Sequence, residues 1–283
     1  MYINKVKFLS KLLILITLFS YGIIKPSMSQ ELKPLENQQL FDLWVEELRI
    51  EALTKGISTQ ILDVALANLK PNSRVIELDQ NQPEFTQTYQ QYLSKRVSDI
   101  RVKRGREMML KHKDLLKDVG KKYGVQPRFI VAIWGMETNY GSFSGGMDVI
   151  QSLATLAYDP RRSNFFRAQL IGALQILEEG HITYENMKGS WGGAMGQSQF
   201  MPTSFQNFSQ DYDGDGKRDI WNNVGDVFAS IAYYLKKQKW NGKFTWGREV
   251  ILPDNFADIE ADVLNPNPPR SCRGAMRSHS KRL

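Results

Sequence analysis

Apolar residues recur at helical spacing along most of the chain. Leu40, Leu43, Trp44 and Leu48 stand three or four apart; the pattern breaks at Gly56 and resumes with Ile61, Val64 and Ala65. Residues 71–84, which include Pro71, Asn72, Asp79, Gln80 and Pro83, are polar and rich in turn formers. Phe85, Tyr89, Tyr92, Leu93, Val97, Ile100 and Val102 then trace a near-continuous stripe. This stripe predicts one long helix from about Pro83 to Tyr123, interrupted near Lys111–Lys113, whose many Lys and Arg residues read as a solvated face. Gln126-Pro127 opens the next helix, since proline suits a first turn, and Gly141 stops it. Residues 150–158 and 164–178 predict two more helices, Pro202 starts a short one, and Val227–Lys236 forms another with Ile231, Tyr234 and Leu235 inward. Strand signal is confined to pieces such as Val250-Ile-Leu252, so the fold class is mainly α.

The first residues follow a different rule. Lys5, Lys7 and Lys11 precede the apolar run Leu12–Phe19, and Ser27 and Ser29 stand where a peptidase reads small side chains. Residues 1–29 are expected to be a signal peptide or an N-terminal anchor; the run is short for a membrane span unless Tyr21–Ile24 are counted with it. No Cys lies near that junction to accept a lipid, and the single Cys272 allows no internal disulfide. An exported chain of this kind must be held by its core, with or without a metal.

The net charge of +7 belongs to the two ends. Residues 1–29 carry four Lys and no acid, residues 270–283 carry five basic residues and no acid, and the remaining 240 residues are near −2. A nucleic-acid groove needs basic residues in the body of the domain, so no nucleic-acid partner is expected.

Candidate chemistry centres on Glu137. It follows Phe129 and Ile133 at four-residue intervals on one helix face, among the bulky residues Trp134, Met136 and Tyr140. A carboxyl desolvated by such neighbours has a raised pKa and donates a proton near neutral pH, although a half-exposed Glu at a helix end is the alternative reading. In Gly189-Ser-Trp-Gly-Gly-Ala-Met-Gly-Gln-Ser-Gln-Phe-Met-Pro202, the glycines Gly189, Gly192, Gly193 and Gly196 permit close backbone approach to a ligand. Ser190, Gln197, Ser198 and Gln199 offer uncharged donors and acceptors suited to sugars, and Trp191, Phe200 and Tyr234 are candidates to stack on pyranose rings. The alternative is a tight turn packed by Phe200 and Met201.

The loop Asp211-Tyr-Asp-Gly-Asp-Gly-Lys217 matches the first half of a calcium loop. Asp211, Asp213 and Asp215 take positions 1, 3 and 5, Gly216 position 6, and the Lys217 carbonyl position 7. Position 12 is Asn222, so Asp226 is the nearest carboxylate able to close the shell; a structural divalent cation is expected in this variant loop.

Trp134-Gly-Met-Glu-Thr-Asn-Tyr-Gly141, Leu153-Ala-Thr-Leu156, Asp159-Pro-Arg-Arg162, Gly189–Pro202 and Asp211–Trp221 together resemble the membrane-bound lytic murein transglycosylase B family of bacteria. Pro83-Glu-Phe85 and Arg101–Arg106 extend the resemblance, which runs from about Leu40 to Phe256. It implies a goose-type lysozyme-like core over 120–257, with the calcium loop at 211–226, after an N-terminal helical region over 30–119. It further implies cleavage of the β-1,4 bond between N-acetylmuramic acid and N-acetylglucosamine in peptidoglycan, with 1,6-anhydromuramyl ends. Glu137 would be the single acid and base, Ser190 would contact the muramyl N-acetyl group, and Gln199, Phe200 and Tyr234 would line the saccharide groove. Asp211, Asp213, Asp215, Lys217 and Asp226 would hold Ca²⁺. The implied partner is the peptidoglycan glycan strand and the implied location the periplasm, soluble or anchored by the N-terminal segment.

The chain departs from that family in two places. It has no lipid-accepting Cys, and its end, residues 258–283, lacks the Tyr-Asn-x-Ser-x-x-Tyr-Ala helix that usually closes the groove. That tail has no hydrophobic period and reads as disordered, as a truncated or frameshifted reading frame would produce. A weak or inactive peptidoglycan-binding protein of the same fold is therefore the competing expectation; a muramidase using water is a third.

Overall fold

The structure, a computed structural model, describes residues 37–81 and 88–244. The N-terminal segment 1–29, the piece Val250–Leu252, Cys272 and the tail 258–283 lie outside the described residues. Among the described residues no helix is long and apolar enough to cross a membrane.

Helix α1 (Asn37–Thr54) buries Phe41, Val45, Leu48 and Ala52, a stripe at four, three and four residues. Of the expected face, Leu48 is buried and Trp44 packs partly buried against the core, whereas Leu40 and Leu43 are exposed. The Phe41 ring decides the helix's rotation: it meets Tyr158 edge-on at 5.0 Å and lies beside Trp44 at 5.5 Å. Gly56 takes φ +84° and turns the chain into α2 (Thr59–Ala65), which Ser58 caps by accepting from the Ile61 N–H. In α2 the buried residues are Leu62 and Ala65, whereas Val64 faces out.

Two expectations fail in the next stretch. The polar segment after residue 71 contains a helix, α3 (Ser73–Gln80), whose start Asn72 caps by accepting from the Arg74 N–H. Val75 anchors it in the core, and the buried Asp79 is held by Arg161 and Arg162 from far along the chain. Ion pairs at that separation leave no local trace in a sequence. The predicted long helix is three helices: α4 (Tyr89–Arg96), α5 (Asp99–Lys111) and α6 (Lys113–Tyr123). Thr88 and Gln91 form a capping box at α4, and the Ser98 Oγ accepts from the Arg101 N–H at the start of α5, so the chain stops and restarts at Val97-Ser98. The second break falls at His112, within the expected interruption. Leu93, Val97, Ile100 and Val102 are all exposed, so that part of the stripe is not a core face.

The remainder follows its periodicity closely. Helix α7 (Pro127–Thr138) is followed by strand β1 (Met147–Asp148), α8 (Val149–Tyr158) and α9 (Ser163–Glu178). Strand β2 (Lys188–Gly189), α10 (Pro202–Phe208) and α11 (Val224–Lys237) complete it. The two short strands pair antiparallel, with Met147 opposite Gly189. Helix α8 is buried over Val149–Ile150 and Ser152–Ala157 and packs against α9, which also meets α2 and α10. Helix α7 packs against α5, α6 and α11. In α11 Ile231 is buried as expected, but Tyr234 lies at the surface, 36% exposed.

Candidate active site

Helix α7 ends where three consecutive residues, Asn139, Tyr140 and Gly141, adopt φ of +49°, +60° and +72°. This left-handed turn folds the Tyr140 ring back against Gly105 of α5 and Gly135 of α7, where no side chain would leave it room. Its hydroxyl donates to the Arg101 carbonyl at 2.7 Å. Trp134 is buried beneath, edge-on to Phe228 at 5.1 Å and to His112 at 5.8 Å. The last turn of α7, which carries Glu137, is thus clamped from within the protein.

The Glu137 carboxyl makes no hydrogen bond or ion pair with another described residue. Its side chain is exposed, yet burial of the space around it pushes its carboxyl above the usual carboxylate range, while Arg96 pulls the other way. The two facts are compatible. A side chain can offer area to water from one side while protein fills most of the volume that would otherwise solvate its charge. Phe129 and Ile133 are half-buried on the same face; Trp134 points into the core and not toward the carboxyl.

The Gly-rich segment is a folded ladder. Met195 and Phe200 exchange two backbone hydrogen bonds, and Ser190 and Ala194 are joined at 2.8 Å. Its glycines serve the protein itself. A Cβ at Gly189 would strike the Ala194 carbonyl, one at Gly193 would strike Leu153, and one at Gly196 would meet Ile220. Only Gly192 has open space, with the Ser190 Oγ at 3.9 Å as its nearest neighbour. Close approach to a ligand, the sequence reading, is thus needed to explain none of Gly189, Gly193 and Gly196, and only Gly192 leaves space for it.

Its polar residues divide in the same way. Gln197 turns inward: its Oε1 accepts from the Trp134 indole N–H at 2.8 Å and its Nε2 donates to the Trp221 carbonyl at 2.7 Å. The Thr138 hydroxyl donates to the Gln197 carbonyl at 3.0 Å, which fastens this loop to the turn holding Glu137. Ser198 is buried and its Oγ has no partner among the described residues. Ser190 is half-buried, its Oγ accepting from the Ala194 N–H at 3.1 Å. Gln199, at φ +49°, donates from Nε2 to the Ser144 and Gly196 carbonyls, both at 2.9 Å. Phe200 is nearly buried, with its ring 5.8 Å from that of the more exposed Tyr234. Thr138 is the residue of this site that sequence reasoning missed, and Gln197, read there as a group for sugars, is bonded instead to Trp134 and Trp221. Nothing local shows that both half-buried glutamines, Gln197 and Gln199, bond within the protein.

The acidic loop brings Asp211, Asp213 and Asp226 together, with one carboxylate oxygen from each within 4.8 Å of the others. Asp226 is fully buried and accepts from the Tyr212 and Asp219 N–H groups, both at 2.7 Å. Burial, reinforced by Asp213 and Asp211, pushes its carboxyl up to about 6 against those two hydrogen bonds. Asp215 stands outside the cluster and accepts from the Lys217 N–H at 2.8 Å. Asn223, unforeseen, donates to Asp213 at 2.7 Å and caps α11. A hard divalent cation fits this donor set: three convergent carboxylates, one of them buried and destabilised when charged.

The fold is mainly helical and lysozyme-like, and it clamps a crowded carboxyl beside a Gly-rich loop. The chain belongs to the Transglycosylase SLT domain family, whose model matches residues 40–279. That match reaches beyond Phe256, where the motif resemblance ends. The membrane-bound lytic murein transglycosylase B of Escherichia coli (strain K12) is 32% identical over 195 residues, covering 65% of this chain and 54% of that protein. Among solved structures, SltB3 from Pseudomonas aeruginosa in complex with NAG-NAM-pentapeptide is similar at TM-score 0.78 and 44% identity, covering 83% of this chain and 63% of that one. The same protein has been solved with NAG-anhNAM-pentapeptide. The Escherichia coli lytic transglycosylase SLT35 in complex with calcium is similar at TM-score 0.60 and 31% identity, covering 75% of this chain and 64% of that one. The chain thus spans about half the length of its curated relative and less than two thirds of these solved chains.

Proposed function

We propose that the chain is a lytic transglycosylase that cleaves the β-1,4 bond between N-acetylmuramic acid and N-acetylglucosamine in peptidoglycan and leaves 1,6-anhydromuramic acid ends. The observation that carries this reading is the single crowded carboxyl of Glu137, with the nearby acidic loop gathered into a cluster of its own. The relative solved with NAG-NAM-pentapeptide and with NAG-anhNAM-pentapeptide supports the substrate class and the anhydro product.

Most glycosidases use two carboxylates. One suffices when the nucleophile belongs to the substrate. Protonated Glu137 gives its proton to the glycosidic oxygen as the C1–O bond breaks. As carboxylate it then takes the proton of the muramyl C6 hydroxyl while that oxygen bonds to C1, and Glu137 is returned to its starting state. An attached hydroxyl is already oriented and competes well against water. Ser190 contacts the muramyl N-acetyl group, and Gln199, Phe200 and Tyr234 line the saccharide groove.

Asp211, Asp213 and Asp226 hold a structural Ca²⁺, with Asp215 and the Lys217 carbonyl as further ligands; the calcium complex of SLT35 supports the choice of ion. The cation neutralises the cluster and fixes the loop, and takes no part in the reaction. Residues 30–119 make the N-terminal helical region and 120–257 the catalytic core. Peptidoglycan lies outside the cytoplasmic membrane, and residues 1–29 supply the export signal that a periplasmic enzyme requires.

Mass spectrometry of digested peptidoglycan tests the reading. Muropeptides ending in anhydromuramic acid, about 18 Da lighter than hydrolytic products by one water, are expected. Reducing muramic acid ends would show that water is the nucleophile and that a second carboxylate acts. Absence of both products, from folded protein, would favour a peptidoglycan-binding role without turnover.

A further inference from the structure

The corner where α6 ends and α7 begins, together with residues 239–243 after α11, encloses a recess of about 810 Å³. Four lysines line it, Lys117, Lys121, Lys239 and Lys243, and neither an acidic residue nor an arginine does among those described. All four are exposed, and none has an ion pair or a ring partner among the described residues. Lysines just outside the recess are engaged: Lys122 lies over Tyr123 and Tyr212, Lys236 over Tyr123 and Lys237 over Tyr233. The negative end of α6 and the positive end of α7 meet at this corner, so their dipoles largely cancel and the lysines set the charge. Lys117 and Lys121 stand one turn apart on α6, where like charges repel. An anion in the recess would relieve that repulsion.

The walls are preformed. Gln126 donates from Nε2 to the Gly242 and Phe244 carbonyls at 2.7 and 3.2 Å, and its Oε1 accepts from the Trp240 indole N–H at 3.0 Å. Gly242 presses so close to Gly124 that a Cβ on it would lie 2.5 Å from the Gly124 carbonyl oxygen. These contacts latch residues 240–244 onto the corner. They fix Trp240, edge-on to Phe129 at 4.6 Å, as an apolar wall of the recess beside Pro127.

The chemistry of the walls narrows the ligand. The planar fork of arginine matches a carboxylate, whereas lysine is a point charge that serves phosphate equally from any direction. Four lysines without an arginine therefore suit phosphate groups. An indole beside them suits the C–H face of a sugar ring, and the volume is that of a small-molecule site, too large for a lone phosphate. We propose that this recess binds a phosphorylated saccharide, its ring against Trp240 and its phosphates on Lys121, Lys239 and Lys243. A soluble sugar phosphate and the phosphorylated headgroup of a glycolipid share that chemistry. The inference goes beyond the catalytic reading and does not depend on it. Pro127 and Glu137 lie at opposite ends of α7, roughly 15 Å apart at the rise of a helix, so a ligand here leaves the turn that bears Glu137 open.

Calorimetric titration of the full chain tests the proposal. The probes are glucose 1,6-bisphosphate, inorganic phosphate and glucose. The bisphosphate is expected to bind at least about tenfold more tightly than either of the others, the scale of one further charge-assisted hydrogen bond. An affinity no higher than that for inorganic phosphate would overturn the proposal, and this comparison needs no variant to fold. Lys121→Gln, Lys239→Gly and Lys243→Gln together should lower the affinity for the bisphosphate at least about tenfold. All three lysines are exposed, and Lys239 sits at φ +65°, where glycine fits without strain, so the fold should be retained, which melting curves check. An affinity that survives these substitutions would overturn the assignment to the recess. Vesicles carrying a diphosphorylated diglucosamine lipid identify the source. Tighter binding to them than to the soluble sugar assigns the ligand to a membrane glycolipid, and weaker binding assigns it to a free sugar phosphate.

Discussion

At the scale of a residue, the state of Glu137 has consequences for both rate and stability. Its carboxyl titrates above the usual range because its charged form is poorly solvated, with Arg96 partly offsetting that. In the proposed reaction the protonated form is the acid that starts it, so kcat/KM is expected to fall as pH rises through this raised pKa. Arg96→Gln removes the opposing charge and should move that limb to higher pH. A limb that stays in place would show that another group sets it. Glu137→Gln should abolish turnover. It should also raise the melting temperature at pH 7, where the folded wild type carries a poorly solvated charge that the unfolded chain solvates well. Below the ordinary carboxyl pKa both forms are neutral in both states, and the difference should vanish. Melting curves of the two proteins at pH 3.5 and 7 measure it.

At the scale of an element, the Gln197 side chain ties the end of α7 to the segment that follows the acidic loop. Gln197→Ala leaves the buried Trp134 indole N–H without its acceptor and loses the bond to Trp221, with an expected cost of roughly 2–4 kcal/mol. Because the turn bearing Glu137 hangs from the same residue, kcat should fall more than KM rises. Steady-state kinetics on a soluble muropeptide separate the two. The helices α7, α8 and α9 were legible from their apolar periodicity, helped in α7 by Pro127 in the first turn, and the carboxyl, the Gly-rich loop and the acidic loop were legible as motifs. What stayed hidden depends on partners distant in sequence. The clasp of Asp79 by Arg161 and Arg162 hid α3, and the inward turn of Gln197 hid the link between the candidate acid and the loop. The break at Val97-Ser98 was missed for another reason: Ser98 is a good cap, but its side-chain bond competes with a stripe of apolar residues that looks continuous.

At the scale of the whole molecule, the acidic cluster couples ion, pH and stability. Without a cation, Asp226 must hold its proton up to about pH 6 or bear a charge beside two others. Its folded pKa lies above the unfolded value, so chelated protein should lose stability as pH rises from about 4 to about 6. Calcium at about a hundredfold excess over its dissociation constant should add about 2.7 kcal/mol, or roughly 5–10 °C in melting temperature. Asp213→Ala should remove the calcium effect. Superimposable melting curves in calcium and in chelator, at pH 7, would show that no ion stabilises this loop.

The wedged backbone of Gly189, Gly193 and Gly196 sets limits on the descent of such enzymes. These positions can accept no side chain without displacing Ala194, Leu153 or Ile220, so the frame of the loop cannot be altered there. Variation can enter through Gly192, which faces open space, and through residues that border the loop from other elements. A library randomised over 189–196 and selected for folded protein should therefore recover many residues at 192 and almost only glycine at 189, 193 and 196. Change at this loop is then confined to position 192 and to what surrounds the three wedged glycines.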